Sequence, residues 1–352
     1  MKVLIAGGSG FIGRNLIEKL LIHTDYKIFN IDKNGYASDE IIIDNNLKDR
    51  YKFINYDLSD SSKIQEIIFQ INPDLIINLA ADTHVDRSID DPDVFVENNI
   101  SATLNLLESA RKLYLKMDKD RKNKFIFYHA GTDEIYGSAK ENSFFNEQSK
   151  INPRSPYSAS KASTDFLVKS WFHTYKLPIL IGNCSNNFGP GQFPEKLIPL
   201  VIFKIINNFK IPIYGDGEFI RDWIYVHDHV EAILKIIELG KYGESYCIGA
   251  NNLISNNAIV KLICEILDKK LNKKSSSKNL IYYVRDRPGH DKRYALDTKK
   301  IKKEINWEPK YSFESSLRIT VDWYLNNQIW VEKQLGKSDY NCERLGLKNY
   351  FK

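Results

Sequence analysis

Two patterns in this chain carry residue types and spacings suited to chemistry on a hydroxylated carbon. In 156-PYSASK-161, Tyr157 and Lys161 stand four residues apart, a spacing that puts both on one face of a helix, and Pro156 suits the first helical turn. A phenol with an ordinary pKa of about 10 is a poor base near neutrality. An ammonium beside it favours the phenolate and lowers that value. Such a pair can take a proton from a hydroxyl while hydride leaves the same carbon. The second pattern lies in 129-HAGTDEIYGS-138, where Thr132, Asp133 and Glu134 follow the apolar run 125-FIFYHA-130. Two neighbouring carboxylates, partly desolvated, do not both ionise easily; one keeps its proton as an acid while the other serves as a base. They titrate as a coupled pair. Adjacent side chains on a straight strand face opposite ways, so both acids serve one substrate only if the chain bends after Thr132.

The elements that position these groups read as an α/β chain. Apolar runs at 3–6, 27–31, 52–56, 75–80, 125–130 and 178–183 alternate with helical spacing at 12–21, 62–71, 93–114 and 157–175. Near-continuous apolar strands alternating with helices imply a parallel sheet covered on both faces, a Rossmann-type doubly wound fold. The first strand runs into 7-GGSGFIG-13, where Gly8, Gly10 and Gly13 satisfy G-x-G-x-x-G and Gly7, Gly10 and Gly13 satisfy G-x-x-G-x-x-G. Following a strand and opening a helix, these glycines let backbone approach a pyrophosphate that the helix N-terminus faces. Asp32, ending the second strand, can accept hydrogen bonds from ribose hydroxyls and would repel the extra phosphate of NADP, so the cofactor reads as NAD; Lys33 beside it is an opposing signal. Asp57 reads equally as an adenine contact and as a loop or capping acid.

The domain reading is 1–184 for the NAD-binding unit, with 221–248 returning to it. Residues 185–220 and 249–330, where loops lengthen and carry Gly, Pro and aromatics, read as a smaller substrate-binding lobe. Residues 331–352 form a tail without an assigned role. At 352 residues, 43% hydrophobic and 27% charged, the chain is an ordinary globular protein. Its net charge of +5 is spread through mixed-sign surface, which excludes a nucleic-acid or membrane partner as the leading reading. Cys184, Cys247, Cys264 and Cys342 show no C-x-x-C spacing, and 1-MKVLIAGG turns to glycine too soon for a signal peptide; a cytoplasmic location is expected. His227 and His229 form H-x-H, but no third ligand has suitable spacing, so no metal site is expected.

A dinucleotide fingerprint followed by Y-x-x-x-K resembles the extended short-chain dehydrogenase/reductase superfamily. The blocks 129-HAGTDEIYG-137, 153-PRSPYSASKAS-163, 183-NCSNNFGPGQFPEKLIP-199, 214-YGDGEFIRDWIYVHDH-229 and 285-RDRPGHDKRYALD-297 narrow the likeness to the dTDP-glucose 4,6-dehydratases. The block 80-AADTHVDRSI-89 is similar to another of that family's motifs. Residues 1 to about 330 share the likeness. Gly131 stands where that family usually has Ser, Asp82-Thr83 where it has Glu-Ser, and Phe188 where it has Tyr, while 33–41 departs more.

The resemblance implies catalytic roles for Thr132, Asp133, Glu134, Tyr157 and Lys161. It implies NAD contacts from Gly7, Gly10, Phe11, Ile12 and Gly13, from Asp32, Lys33, Asp57 and Leu58, and from Ala80, Ala81, Thr83, Asn98 and Asn187, besides Tyr157 and Lys161. Substrate contacts are expected from Thr83, His84, Thr132, Asn186, Leu197 and Pro212, and from Asn256 and His290. Arg221 and Arg287 offer planar forked donors to a diphosphate. Lys196 reads equally as a diphosphate partner and as a surface lysine, and Tyr214 as a nucleobase neighbour or a core aromatic. The expected reaction oxidises C4 of a nucleoside-diphosphate glucose, expels water across C5–C6 and returns hydride to C6. A 4-epimerase lacks use for the acid pair, and a silent NAD-binding scaffold lacks use for Tyr157 and Lys161. Thymine and uracil differ by one methyl, worth about 1–3 kcal/mol, so the base stays open between dTDP- and UDP-glucose. Relatives imply a homodimer, with 93–114 and 157–175 as candidate contact helices.

Overall fold

The computed structural model describes residues 1–337 and Tyr340. Seven parallel strands form the main sheet in the order Ser245–Ile248, Ile179–Cys184, Ile126–Thr132, Leu75–Asn78, Lys2–Ala6, Lys27–Asp32, Tyr51–Asn55. Ile5 sits opposite Asn30 on one side and Ile77 on the other. The chain lays its first three strands outward from Lys2–Ala6, then crosses back to Leu75–Asn78 on the other side. The crevice at that reversal is where an open α/β sheet binds its ligand, outside the carboxyl ends of the strands. The central strands are apolar without alternation because helices cover both faces. Leu16, Ile17 and Leu20 of helix Phe11–His23 pack one face with Val230, Ile233 and Ile236 of helix Val226–Leu239. Ile64, Ile68, Leu106, Ala110 and Val168 pack the other.

The second lobe is built on a three-stranded sheet, Leu253–Ser255, Ile220–Tyr225 and Asn186–Phe188, and a parallel pair, Ile211–Tyr214 with Ile281–Val284. Its core joins Phe188, Ile202, Ile263 and Leu317. The lobes exchange more chain than the sequence reading allowed. Residues 221–225 pair in the small sheet, Arg221 with Ile254 and Ile224 with Asn187, yet Ile224 already packs into the core of the main sheet, while Val226 packs into that of the second lobe. Conversely, Ile301 and Ile305 of helix Lys299–Ile305, with Trp307, pack into the core of the main sheet, although they fall within 249–330.

The spacing at 93–114 predicts one helix. The structure divides it into Pro92–Phe95, a wide-turned π segment at Val96–Ser101 and Ala102–Lys116. The wide turn accompanies an inward task for Asn99: it bonds the backbone of Asp82 at 2.8 and 3.0 Å and Ser160 Oγ at 2.8 Å. π segments of this kind recur at functional sites. The first part of the expected tail is helix Gln328–Gly336; 341–352, with Cys342, lie outside the described residues. Among the described residues no helix is long and apolar enough to cross a membrane.

Candidate active site

Strand Ile126–Thr132 ends at the crevice, and the chain passes at once into a 3₁₀ turn, Asp133–Tyr136. Thr132 caps the turn, its Oγ1 accepting from Glu134 N at 3.3 Å. This is the bend that the acid pair requires: tight-turn geometry replaces strand alternation, and both carboxylates line one cavity of about 490 Å³. Helix Pro156–Tyr175 approaches from the side. Ser155 and Ser158 form a reciprocal cap, each hydroxyl accepting from the other's backbone N–H at 3.0 Å, which satisfies two of the amides a helix start leaves open. The backbone N–H of Tyr157 donates to Ser88 Oγ at 3.1 Å, and Lys161 Nζ to Ala130 O at 2.7 Å. The helix start is thereby fixed to the end of the strand that carries the acids.

Electrostatics separate the two acids. Asp133 is buried. Burial first, then the charges of Glu134 and Asp222, push its carboxyl well above the usual range. Asp222 is itself raised to about 6 by burial. Glu134 is half-buried. Burial raises it as well, but the cations Arg287, Arg221 and Lys196 pull it back down. Asp133 is therefore the member that holds a proton, and Glu134 the one more readily ionised.

Tyr157 departs from expectation. The depressed phenol inferred from the Lys161 spacing is not what the surroundings produce. Burial first, then the negative charge of Glu134, raise Tyr157 well above its ordinary value, against a hydrogen bond from Thr132. Lys161, its own ammonium disfavoured by burial, is engaged with the Ala130 carbonyl. In this state Tyr157 is a phenol.

The glycine loop fits a dinucleotide. Gly7 has φ +76°, and a Cβ there would lie 2.6 Å from the Ala80 backbone; one on Gly13 would lie 2.6 Å from Gly7 O. The space is thus open only to bare backbone. Helix Phe11–His23 starts at Gly10 without a side-chain cap, so its first amides are available to an anion. Asp32 accepts from Ser9 N at 3.0 Å, Asn34 N at 2.8 Å and Ser38 Oγ at 3.0 Å. That uses three of the roughly four acceptor sites of a carboxylate and leaves room for a ribose hydroxyl. Lys33 lies 3.6 Å from Asp57, and Asn98 Nδ2 donates to Asp82 Oδ2 at 2.6 Å.

At the other end, Lys196 Nζ donates to Thr83 O at 2.9 Å and to Thr83 Oγ1 at 3.2 Å. Arg287 pairs with Asp86 at 3.1 Å, and Tyr214 Oη donates to the same carboxylate at 2.6 Å. Tyr214 thus belongs to the cavity wall, as does Lys196. Arg221 donates to the carbonyls of Ile220 and Asp291 at 2.8 and 2.9 Å. His84 is held neutral, its pKa lowered to about 3 by burial and then by Lys196. His290 stacks on Phe219 with ring centroids 3.7 Å apart. Every residue named above as catalytic, cofactor-binding or substrate-binding lines this one cavity. Of the H-x-H pair, His229 Nδ1 bonds Asn187 Oδ1 at 2.9 Å while His227 stacks on Tyr225, so the rings serve different neighbours.

Sequence reasoning passed over Asp86, Glu195 and Tyr36, which also line the cavity. Asp86 meets Arg287 across 201 positions of sequence, a pairing no local spacing reveals. Glu195 accepts from Arg87 Nε at 3.0 Å and from Tyr36 Oη at 2.9 Å. It lies in the 183–199 block and Arg87 in the 80–89 block, 108 positions apart, and no local spacing joins the two.

The family model described as GDP-mannose 4,6 dehydratase matches residues 4–320. The chain is 45% identical over 361 residues to a dTDP-glucose 4,6-dehydratase of Escherichia coli, covering 99% of each. A dTDP-glucose 4,6-dehydratase of Streptomyces venezuelae, solved with NAD bound, superposes with a TM-score of 0.85 at 33% identity, covering 95% of this chain and 100% of that one. A UDP-glucose 4-epimerase of Thermotoga maritima, solved with UDP-glucose, gives a TM-score of 0.81 at 27% identity over 93% and 100% of the two chains.

Proposed function

The chain belongs to the GDP-mannose 4,6 dehydratase family and, within it, to the dTDP-glucose 4,6-dehydratases, and from that premise we propose how its residues divide the work. The enzyme is an NAD-dependent hydro-lyase that converts a nucleoside-diphosphate glucose to the 4-keto-6-deoxy sugar nucleotide. When bound, NAD would be held by the Gly7–Gly13 loop and Asp32; it would supply the acceptor for the C4 hydride and the donor that returns it to C6, and its positive ring would add charge that favours a Tyr157 phenolate. Tyr157 takes the 4-hydroxyl proton, and Thr132 holds the 4-oxygen. The ketone so formed acidifies the C5–H bond. Glu134 removes that proton, and Asp133 donates its own to the departing C6 hydroxyl, which leaves as water. C5 is then reprotonated.

The observation that carries this assignment is the unlike setting of two adjacent acids on one turn: Asp133 is buried, with its carboxyl pushed well above the usual range, while Glu134 is half-buried and its smaller rise is opposed by Arg287, Arg221 and Lys196. A 4-epimerase moves hydride at C4 alone and gives such a pair nothing to do. Arg221, Arg287 and Lys196 fit the diphosphate, and the Gly7–Gly13 loop with Asp32 fits NAD. Exposed Val96, Leu104 and Phe166 on the two candidate helices support a homodimer built there. The unbridged Cys184, Cys247 and Cys264 are in keeping with a cytoplasmic location. Purified protein given dTDP-glucose and, separately, UDP-glucose tests the reading. A 4-keto-6-deoxy product, formed faster from the thymidine nucleotide, is expected; a 4-epimer instead would contradict it.

A further inference from the structure

Glu134 works in a site that its own ligands fill. Ligands bound in the crevice that Glu134 lines would crowd its direct route to water through the mouth. A second path leaves through the wall. Tyr294 Oη lies 3.5 Å from Glu134 Oε2 and donates to Asp291 Oδ2 at 3.0 Å. Asp291 Oδ1 lies 3.7 Å from Arg154 Nε. The series runs from inside to outside: Tyr294 is 3% and Asp291 2% exposed, while the Arg154 side chain is 54% exposed. Neither Tyr294 nor Asp291 lines the cavity, so ligands do not interrupt the series.

We propose that Tyr294 and Asp291 form a proton path connecting Glu134 with solvent beside Arg154, so that the hydrogen taken from C5 exchanges with water while the site is closed. The step balances. Protonated Glu134 passes its proton to the Tyr294 oxygen as the Tyr294 hydroxyl proton moves to Asp291 Oδ2. One proton is thereby transferred, Tyr294 is unchanged, and Glu134 is left ionised. Asp291 Oδ1 is buried without a hydrogen-bond partner under the exposed Arg154 side chain, so the proton leaves for water there as that side chain moves aside, and the reverse sequence brings a solvent proton back for C5. The path is built stiffly. The Arg221 guanidinium lies 4.2 Å above the Tyr294 ring and donates to Asp291 O. The Ser138 hydroxyl accepts from Lys292 N at 3.0 Å, and Tyr294 N donates to Ile220 O at 3.1 Å. Burial raises Asp291, as it raises Glu134, and a hop between two carboxyls displaced the same way is closer to even than one to an ordinary surface acid. Tyr294 and Asp291 touch no substrate in this scheme; they act through Glu134.

The inference rests on the dehydratase reading, and an isotope experiment separates the two. The enzyme is given dTDP-glucose deuterated at C5, in ordinary water, and the C5 hydrogen of the keto-deoxy product is analysed by mass spectrometry and NMR. The wild-type product is expected to lose the label, whereas Asp291→Asn and Tyr294→Phe return most of it to C5, with Asp291→Glu restoring the loss. General structural damage would slow turnover without changing which hydrogen returns, and Tyr294→Phe decides the matter if Asp291→Asn does not fold. Equal label loss in wild type and both variants overturns the path, as does label retention in the wild type. Absence of any keto-deoxy product from the wild type would instead overturn the dehydratase reading.

Discussion

Asp133 and Glu134 differ by one methylene and one position, and their surroundings turn that small difference into two roles. The base is needed ionised, so activity falls as pH drops through the Glu134 pKa, which burial has raised. Arg287 opposes that rise, and Arg287→Met removes its charge. The acidic limb of the kcat profile then moves to higher pH, measured at saturating substrate; an unmoved limb would show that Glu134 does not feel Arg287. Glu134→Gln keeps the shape but cannot accept a proton. It is expected to leave C4 oxidation in place and slow dehydration by about 10²–10⁴-fold, the range for losing a general base. Product analysis in a single turnover checks this by finding a 4-keto sugar still bearing its 6-hydroxyl. At this scale the sequence was informative about identity and silent about charge balance. Tyr157 and Lys161 stand where their spacing put them, yet the tyrosine is raised rather than lowered, because burial and the Glu134 carboxylate on the 3₁₀ turn outweigh the neighbour four residues away.

Among the elements, the strands were legible because buried parallel strands are apolar throughout and 3-VLIA-6 or 75-LIIN-78 admits little else. The glycine loop was legible because bare backbone is needed at Gly7 and Gly13. Gly13→Ala would place a methyl 2.6 Å from Gly7 O and pry open the loop. Weaker NAD binding is expected, read by titration of intrinsic fluorescence, with wild-type affinity as the contrary result. The π segment at Val96–Ser101 was not legible, since apolar spacing records which face is buried and not the side-chain reach that widens a turn. The bend at Asp133 was demanded by function before it was seen as a 3₁₀ turn.

Across the whole molecule, the lobes are tied by contacts that join distant parts of the chain. Asp39 accepts from Arg14 at 3.0 Å and from Trp330 Nε1 at 2.6 Å, with Lys337 at 3.5 Å. Asp39→Ala removes the partner of these partly exposed donors, and losing such a hydrogen bond costs about 0.5–1.5 kcal/mol. A lower denaturant midpoint is expected, and an unchanged one would make the cluster incidental. Such ties also explain why the lobe boundaries eluded the sequence: Trp307 and the Lys299–Ile305 helix cross back to a core begun three hundred residues earlier, and only the fold brings them together.

The central claim is that one hydride travels from C4 to C6 of the same sugar by way of the cofactor. dTDP-glucose deuterated at C4 tests it directly, with the position of the label in the product read by NMR. The account predicts deuterium in the C6 methyl group. Deuterium absent from C6, or still at C4 in an epimerised sugar, would contradict it.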